Sequence, residues 1–221
     1  MLILGAVAGA AILVVLSPLV ATWALLLRCR EDFDPDDPAR PNSEHVARLA
    51  SVEDRTLQNQ FSALGFLKPG WFRRINATAI LWVGKFVTRY VFGQEDLAGV
   101  KTIHFARWTF INDKRRMLFS SNYDGSLENY MGDFIDVVWW GLNVIFSNGV
   151  GYPHTRWAIF DGAKDEGAFK RHIRNRQITT QVWYSAYPNL SAMNIATNAR
   201  IRAGLFGLQT AAETQAWLNL L

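Results

Sequence analysis

A run of 26 residues without a charged side chain, Leu2 to Leu27, constrains this chain more than any other feature of its sequence. A helix rises about 1.5 Å per residue, so a helix of this length exceeds the roughly 30 Å hydrocarbon thickness of a bilayer. Only Met1 precedes the run, whereas a cleaved signal peptide has a basic region there. The sequence therefore predicts a retained transmembrane helix over residues 1–30, and a buried core helix is the alternative interpretation.

Charged residues next to this run predict its orientation. Arg28 and Arg30 follow it directly, and basic residues next to a membrane span favour the cytoplasmic side. The sequence predicts a single-pass protein of the cell inner membrane, with its N-terminus outside and its bulk in the cytoplasm. The lone cysteine, Cys29, suits a reducing compartment.

A pair of small residues inside the run predicts a contact with another helix. Gly5 and Gly9 form a GxxxG pair, which permits close approach of a second transmembrane helix. Such pairs also occur by chance in Gly-rich and Ala-rich segments. The predicted partners are the membrane and other transmembrane subunits.

The rest of the chain divides by composition. An acidic, proline-rich linker is predicted at 31–43, a helical segment at 44–99, a mixed domain at 100–205 and a last helix at 206–221. The formal net charge is +4, but no nucleic-acid-binding motif accompanies the basic residues, so nucleic acid is not an expected partner.

Basic and aromatic residues alternate with apolar ones from Trp71 to Phe92 at helical spacing. Two interpretations compete: a packed helix with a cationic solvent face, and an amphipathic helix lying on a membrane surface. Either one makes four residues candidates for an interface: Trp71, Arg73, Arg74 and Trp82.

Strand-like and helical segments interleave from residue 100 to residue 205. A hairpin is predicted from Val100–Ile111 and Arg116–Ser121, followed by a helix that Ser126 caps. Further strands are predicted at Arg156–Phe160 and Ile178–Tyr184, with helices between and after them. The predicted fold class is α+β: a transmembrane helix followed by a ferredoxin-like α/β plait with extra helices.

The stretch Ile103 to Asp136, with Asn122-Tyr123-Asp124-Gly125 before a helix, resembles uncharacterised bacterial proteins similar to the dimeric α+β barrel superfamily. That superfamily includes dye-decolorising peroxidases and chlorite dismutases. The resemblance implies that Asp124 matches the acid of the peroxidase GxxDG motif, with Ser121 in place of its first glycine. It also implies haem, for which His104, His154 and His172 are the candidate axial ligands. An Asp-Gly turn before a helix explains Asp124 equally well.

No nucleophile motif, metalloprotease motif or phosphate-binding loop occurs in the sequence. We therefore expect an accessory or structural subunit of a larger membrane complex, such as a respiratory or photosynthetic one. The alternatives are a membrane-tethered haem-binding or peroxidase-like oxidoreductase and a peripheral lipid-binding domain.

Overall fold

The structure, a computed structural model, describes residues 2–35, 39–90, 99–206 and 210–221, with the side chains of the first helix from residue 17 onward. These residues form helices, strands and one 3₁₀ turn. In chain order the elements are α1 (Leu2–Glu31), α2 (Ser43–Ala50), β1 (Gln58–Phe66), α3 (Trp71–Tyr90), β2 (Ile103–Ile111), β3 (Arg116–Asp124), α4 (Leu127–Phe146), β4 (Thr155–Arg156), β5 (Phe160–Asp161), the 3₁₀ turn (Gly162–Lys164), α5 (Glu166–Arg176), α6 (Ala192–Gly204) and α7 (Ala211–Leu218).

The central element is a three-stranded antiparallel sheet with the order β1-β3-β2. The predicted hairpin of β2 and β3 is confirmed, and its connection runs through Asn112, Asp113 and Lys114, all at positive φ. Polar residues of this type tolerate the left-handed conformation better than β-branched ones, which explains where the chain reverses.

One face of the sheet packs against α4 and α5. The predicted cap of α4 is confirmed, because the Ser126 hydroxyl accepts a hydrogen bond from the Asn129 N–H at 3.2 Å. Apolar residues of α4 then recur at helical spacing and meet inward-facing residues of β1 and β3. The buried core includes Phe61, Phe119, Tyr123, Leu127, Tyr130, Phe134, Leu142 and Phe169.

The prediction of a transmembrane anchor is wrong. Among the described residues, no helix combines the length and the apolar character needed to cross a bilayer. The physical reason visible in the structure is that the last turns of α1 belong to the folded body. Trp23 stacks on Phe72 with ring centroids 4.4 Å apart, and Glu31 is completely buried. The predicted inner-membrane localisation and the N-out, single-pass orientation depended on the anchor and are therefore wrong as well. Gly5 and Gly9 precede residue 17, so their packing lies outside the described residues.

The predicted ferredoxin-like plait is also wrong, because the main sheet has three strands. The segment predicted as a strand at Arg156–Phe160 is a tight turn between β4 and β5, in which Trp157 and Ala158 have positive φ. The segment predicted at Ile178–Tyr184 makes only a bridge from Gln177 to Ala63 of β1 before it leaves the sheet. One backbone hydrogen bond, from the Ile178 N–H to the Ser62 carbonyl, and a side-chain bond between Ser62 and Thr180 hold it there.

The segment predicted as helical between residues 44 and 65 contains α2 and then β1. Phe61 and Ala63 are both buried and lie two residues apart, which is the strand period. The predicted helix beginning at Trp71 is confirmed as α3, and Val91 and Phe92 at its predicted end lie outside the described residues.

The last two helices form an arm that packs on itself. The Trp217 indole N–H donates to the Ile201 carbonyl at 2.9 Å, and its ring covers Gly204 so closely that no side chain would fit there. Neither α6 nor α7 contains a buried residue. The arm therefore contributes little to the core, and Asp124 holds its start by accepting a hydrogen bond from the Ala192 N–H.

Candidate interaction surface

Several large apolar side chains of α3 and of the end of α1 are exposed. The first turns of α3 bury Phe72, Arg73, Asn76 and Ala77, a spacing that places one helical face against the body. From Trp82 onward, apolar side chains point outward instead. The exposed fractions are 70% for Trp82, 55% for Phe86 and 65% for Tyr90, with Trp71 at 61% near the start of the helix.

Exposed aromatic side chains near the end of α3 contact one another. The rings of Phe86 and Tyr90 have centroids 4.7 Å apart, and the Arg89 guanidinium lies 5.5 Å from the Tyr90 ring centroid. Isolated exposed apolar residues are normal in folded proteins, whereas a contiguous group of them marks a binding surface. We call the large exposed apolar residues of α3 the α3 face; they are Trp71, Ile75, Trp82, Val83, Phe86 and Tyr90.

The start of α3 contacts α1, which also has exposed apolar residues. Trp23 joins the two helices, because its ring packs on Phe72 and its indole N–H donates to the Asn76 side-chain carbonyl at 3.0 Å. Beyond this contact, Leu19, Val20, Leu25 and Leu26 of α1 are exposed. Exposed apolar residues therefore occur on two helices, which specific aromatic and amide groups hold in contact.

All the charged residues of α3 are basic. The helix contains Arg73, Arg74, Lys85 and Arg89 and no acidic residue. Lys85 and Arg89 are exposed next to the α3 face, and Arg74 is half-buried. Of the four residues predicted as interface candidates, Trp71, Trp82 and Arg74 reach the surface.

Arg73, the fourth candidate, is buried and holds the helix to the body. Its guanidinium donates to an Asp34 carboxylate oxygen at 2.6 Å, and the same oxygen accepts from the Lys68 ammonium at 2.6 Å. Lys68 also donates to the Ser147 carbonyl at 2.7 Å. Burial lowers the pKa of Lys68, while the Asp34 carboxylate acts in the opposite direction. We call Asp34, Lys68 and Arg73 the buried ion cluster.

The buried ion cluster escaped sequence analysis because Asp34 lies in the segment predicted as a linker. Composition treats the acids of this segment as solvated, yet Glu31 and Asp34 both lie against the body. The only signal in the sequence was the spacing of Lys68 and Arg73 around a Pro-Gly turn. The cluster fixes the base of α3 and so presents the exposed second half of the helix in a defined direction.

Asp124, the acid implied by the peroxidase resemblance, pairs with a histidine. Its Oδ1 lies 2.6 Å from His104 Nε2, and its Oδ2 accepts from the Ala192 N–H at 2.7 Å. Both oxygens are thus occupied by groups of the fold, one on β2 and one at the start of α6. Neither partner belongs to the turn before α4, so Asp124 joins β2 to α6 in the structure, and the side chain that caps α4 is Ser126.

His154 and His172 lie apart from this pair. His154 is exposed. His172 Nδ1 lies 2.7 Å from the Gly151 carbonyl oxygen, and its ring packs edge-on against Tyr152. His172 borders a cavity of about 30 Å³, which is the size of one water molecule, whereas pockets for cofactors begin at about 300 Å³. The residues around His172 do not fit a haem group.

The part of the chain with described positions contains no cluster of three or more His, Cys, Asp or Glu side chains arranged for a metal ion. No protein-family model, curated protein or solved structure matches the chain. The resemblance to the dimeric α+β barrel superfamily therefore stays a prediction from residues 103–136.

Proposed function

We propose that the protein is an accessory subunit that binds a partner protein of a larger complex through the α3 face. The observation that carries this proposal is the exposure of Trp82, Phe86 and Tyr90 on one helix whose base is fixed by the buried ion cluster. Aromatic residues next to arginine are enriched at the centres of protein interfaces.

The energetics favour occupancy of this surface. Burying one large apolar side chain contributes roughly 1.5–3 kcal/mol, so covering three aromatic residues supplies several kcal/mol towards association. Because α3 is already folded and held at its base, a partner orders little beyond the exposed side chains when it binds. A preformed surface of this kind retains more of its contact energy as affinity.

Purification of the tagged full-length chain from its native cells tests the proposal. We expect a stoichiometric partner to copurify with the wild type and to be lost with the double variant Trp82→Ser, Phe86→Ser. The control is Val182→Ser, Tyr184→Ser, which removes two large side chains that are even more exposed than Trp82 and Phe86 from a different part of the chain and should retain the partner. Retention of the partner by the α3 variant, or isolation of the wild type alone, would contradict the proposal.

A second candidate function, peripheral binding to an anionic lipid surface, is favoured by the charge of α3. Lys85 and Arg89 are exposed beside Trp82 and Tyr90, and the helix has no acid to oppose them. This combination is typical of helices that lie in the interface of a bilayer. Vesicles containing phosphatidylserine should then bind the protein more tightly than phosphatidylcholine vesicles, and salt should weaken the binding. Lys85→Glu, Arg89→Glu should abolish the difference between the two vesicles.

A further inference from the structure

The outer edge of β2 is open. β3 covers one side of this strand, and no backbone hydrogen bond from any described residue reaches its other side. The strand spans nine residues, Ile103–Ile111, with no proline and a register shift only near its start. Long unpaired edges of this kind are templates for pairing with another strand.

The register shows which groups of β2 point outward. The backbone carbonyl of Ser62 in β1 accepts a hydrogen bond from the Ile178 N–H on the side away from β3. The backbone N–H and C=O of Ser120, which lies opposite Ser62 in β3, therefore point towards β2. Ser120 lies opposite Arg107, which therefore faces inward. Alternate residues face the other way, so the outward N–H and C=O groups belong to Ala106, Trp108 and Phe110.

A second copy of the same strand satisfies all of these groups in one antiparallel register. With a two-fold axis at Trp108, Ala106 pairs with Phe110 of the second copy, and Trp108 pairs with itself. Each of the three residues then uses both its N–H and its C=O, as in an ordinary hydrogen-bonded ladder. Shifting the axis to Arg107 or Thr109 leaves one of the three without a partner.

The side chains on the solvent-exposed face of β2 also fit this register. Arg107 lies opposite Thr109 of the second copy, and the exposed Phe105 lies opposite Ile111. An axis at Arg107 would instead place two arginines directly opposite each other, which is unfavourable. The arrangement at Trp108 thus pairs apolar with apolar and avoids a like-charge contact.

We propose that the chain forms a two-fold homodimer by antiparallel pairing of β2 with β2 of a second copy about Trp108, giving a continuous six-stranded sheet. The interface is isologous, as in most closed dimers. It uses the edge of the sheet and not the α3 face, so it stands independently of the proposed partner binding.

Charge substitutions at the predicted cross-strand pair test the register. Sedimentation velocity of the full-length protein over a range of concentrations should give a monomer–dimer equilibrium. Thr109→Lys places a cation opposite Arg107 twice per dimer and should weaken dimerisation about threefold to tenfold, whereas Thr109→Glu should strengthen it. The swapped pair Arg107→Glu, Thr109→Lys should restore dimerisation. A variant of the α3 face, Trp82→Ser, should leave it unchanged.

Residue-resolved amide exchange provides a second measurement. The amides of Ala106, Trp108 and Phe110 should exchange more slowly at concentrations where the dimer forms, while those of Arg107 and Thr109, already bonded to β3, should not change. A protein that is monomeric at all concentrations would overturn the proposal. Equal effects of Thr109→Lys and Thr109→Glu, or loss of the dimer in Trp82→Ser alone, would overturn it as well.

Discussion

Tyr123 and Tyr130 stack face to face in the core, with ring centroids 4.2 Å apart and planes 12° apart. Their hydroxyl groups differ in one respect. The Tyr130 hydroxyl is hydrogen-bonded to the Ser121 hydroxyl at 2.6 Å, whereas the buried Tyr123 hydroxyl has no partner among the described residues. Two chemically identical side chains in contact therefore make different contributions to stability.

Replacing each of these tyrosines by phenylalanine should change the free energy of unfolding in opposite directions. Tyr123→Phe removes an unsatisfied polar group and should raise it by about 1 kcal/mol. Tyr130→Phe leaves the Ser121 hydroxyl unpaired and should lower it by about 1–2 kcal/mol. Urea unfolding of the two variants measures both values. Equal effects in the two variants would contradict the assignment of hydrogen bonds.

Glu31→Gln should destabilise the turn between β4 and β5. The Glu31 carboxylate accepts hydrogen bonds from the Thr155 hydroxyl at 2.8 Å and from the N–H groups of Trp157 and Ala158 at 2.8 and 2.6 Å. The amide group of glutamine turns one acceptor into a donor facing an N–H. We expect a loss of about 2 kcal/mol, measured by urea unfolding, and faster amide exchange of residues 157 and 158.

The neighbouring acid provides the control for Glu31. Asp32 is exposed and forms an ion pair with Arg28 at 2.7 Å on the surface. Asp32→Asn should therefore change the free energy of unfolding by less than about 0.5 kcal/mol. A loss in this variant as large as that of Glu31→Gln would show that charge near the end of α1, and not the specific hydrogen bonds, is responsible.

Asp34→Ala should lower the free energy of unfolding more than replacement of Lys68, the lysine that Asp34 binds. The substitution leaves Lys68 and Arg73 buried without a carboxylate, for which we expect a loss of about 3–5 kcal/mol. The double variant Asp34→Ala, Lys68→Met should lose less than the sum of the two single variants, because it removes one of the uncompensated charges. Additive losses in this cycle would contradict the shared carboxylate.

The stability of the protein should fall as pH rises above about pH 10. Burial raises the pKa of Tyr123, Tyr130 and Tyr152 above the ordinary value of 10. Above that value the unfolded chain releases phenolic protons that the folded chain keeps, so stability falls as pH rises. The lowered pKa of Lys68 has the opposite sign, with stability rising up to the ordinary value of 10.5. Three tyrosines outweigh one lysine.

Urea unfolding at pH 9 and pH 11 measures this effect. The midpoint should be lower at pH 11 than at pH 9. Tyr123→Phe should reduce the difference between the two midpoints, since it removes one of the linked groups. An unchanged midpoint between the two pH values would contradict the burial of these side chains.

Removal of residues 205–221 should hardly affect the stability of the body. No described residue of α7 is buried, and the Trp217 ring contacts α6. We expect the free energy of unfolding, measured with urea, to change by less than about 0.5 kcal/mol, and faster amide exchange to be confined to α6. A loss of several kcal/mol would show that the arm packs on the core.

The elements that the sequence predicted correctly are those whose residues carry local signals. The α4 cap at Ser126, the four-residue connection at Asn112–Arg115 and the apolar spacing of α3 all act within a few residues of one another. Residues 178–184 had the composition of a strand but form no ladder. Side chains of β1 hold this part of the chain along the strand instead: Ser62 bonds to Thr180, and Gln58 donates to the carbonyl groups of Tyr187 and Leu190.

The features that the sequence did not predict depend on contacts between distant residues. Nothing near Glu31 or Asp34 in the sequence indicates that these acids leave water, since their partners lie far along the chain. The α3 face shows the reverse case. Its composition was recognised, but only the structure distinguishes the buried Arg73 from the exposed Trp82. A helical pattern identifies residues that share a face and does not say what that face contacts.

Glu31 also bears on the order of folding. Its carboxylate joins a helix at the start of the chain to a turn more than 120 residues later, with separations of 124 to 127 residues. Trp157 and Ala158 adopt a left-handed backbone conformation that is costly without this anion. The turn therefore gains its full stability only when the two ends of a long loop have met, so its formation carries the entropy cost of closing that loop.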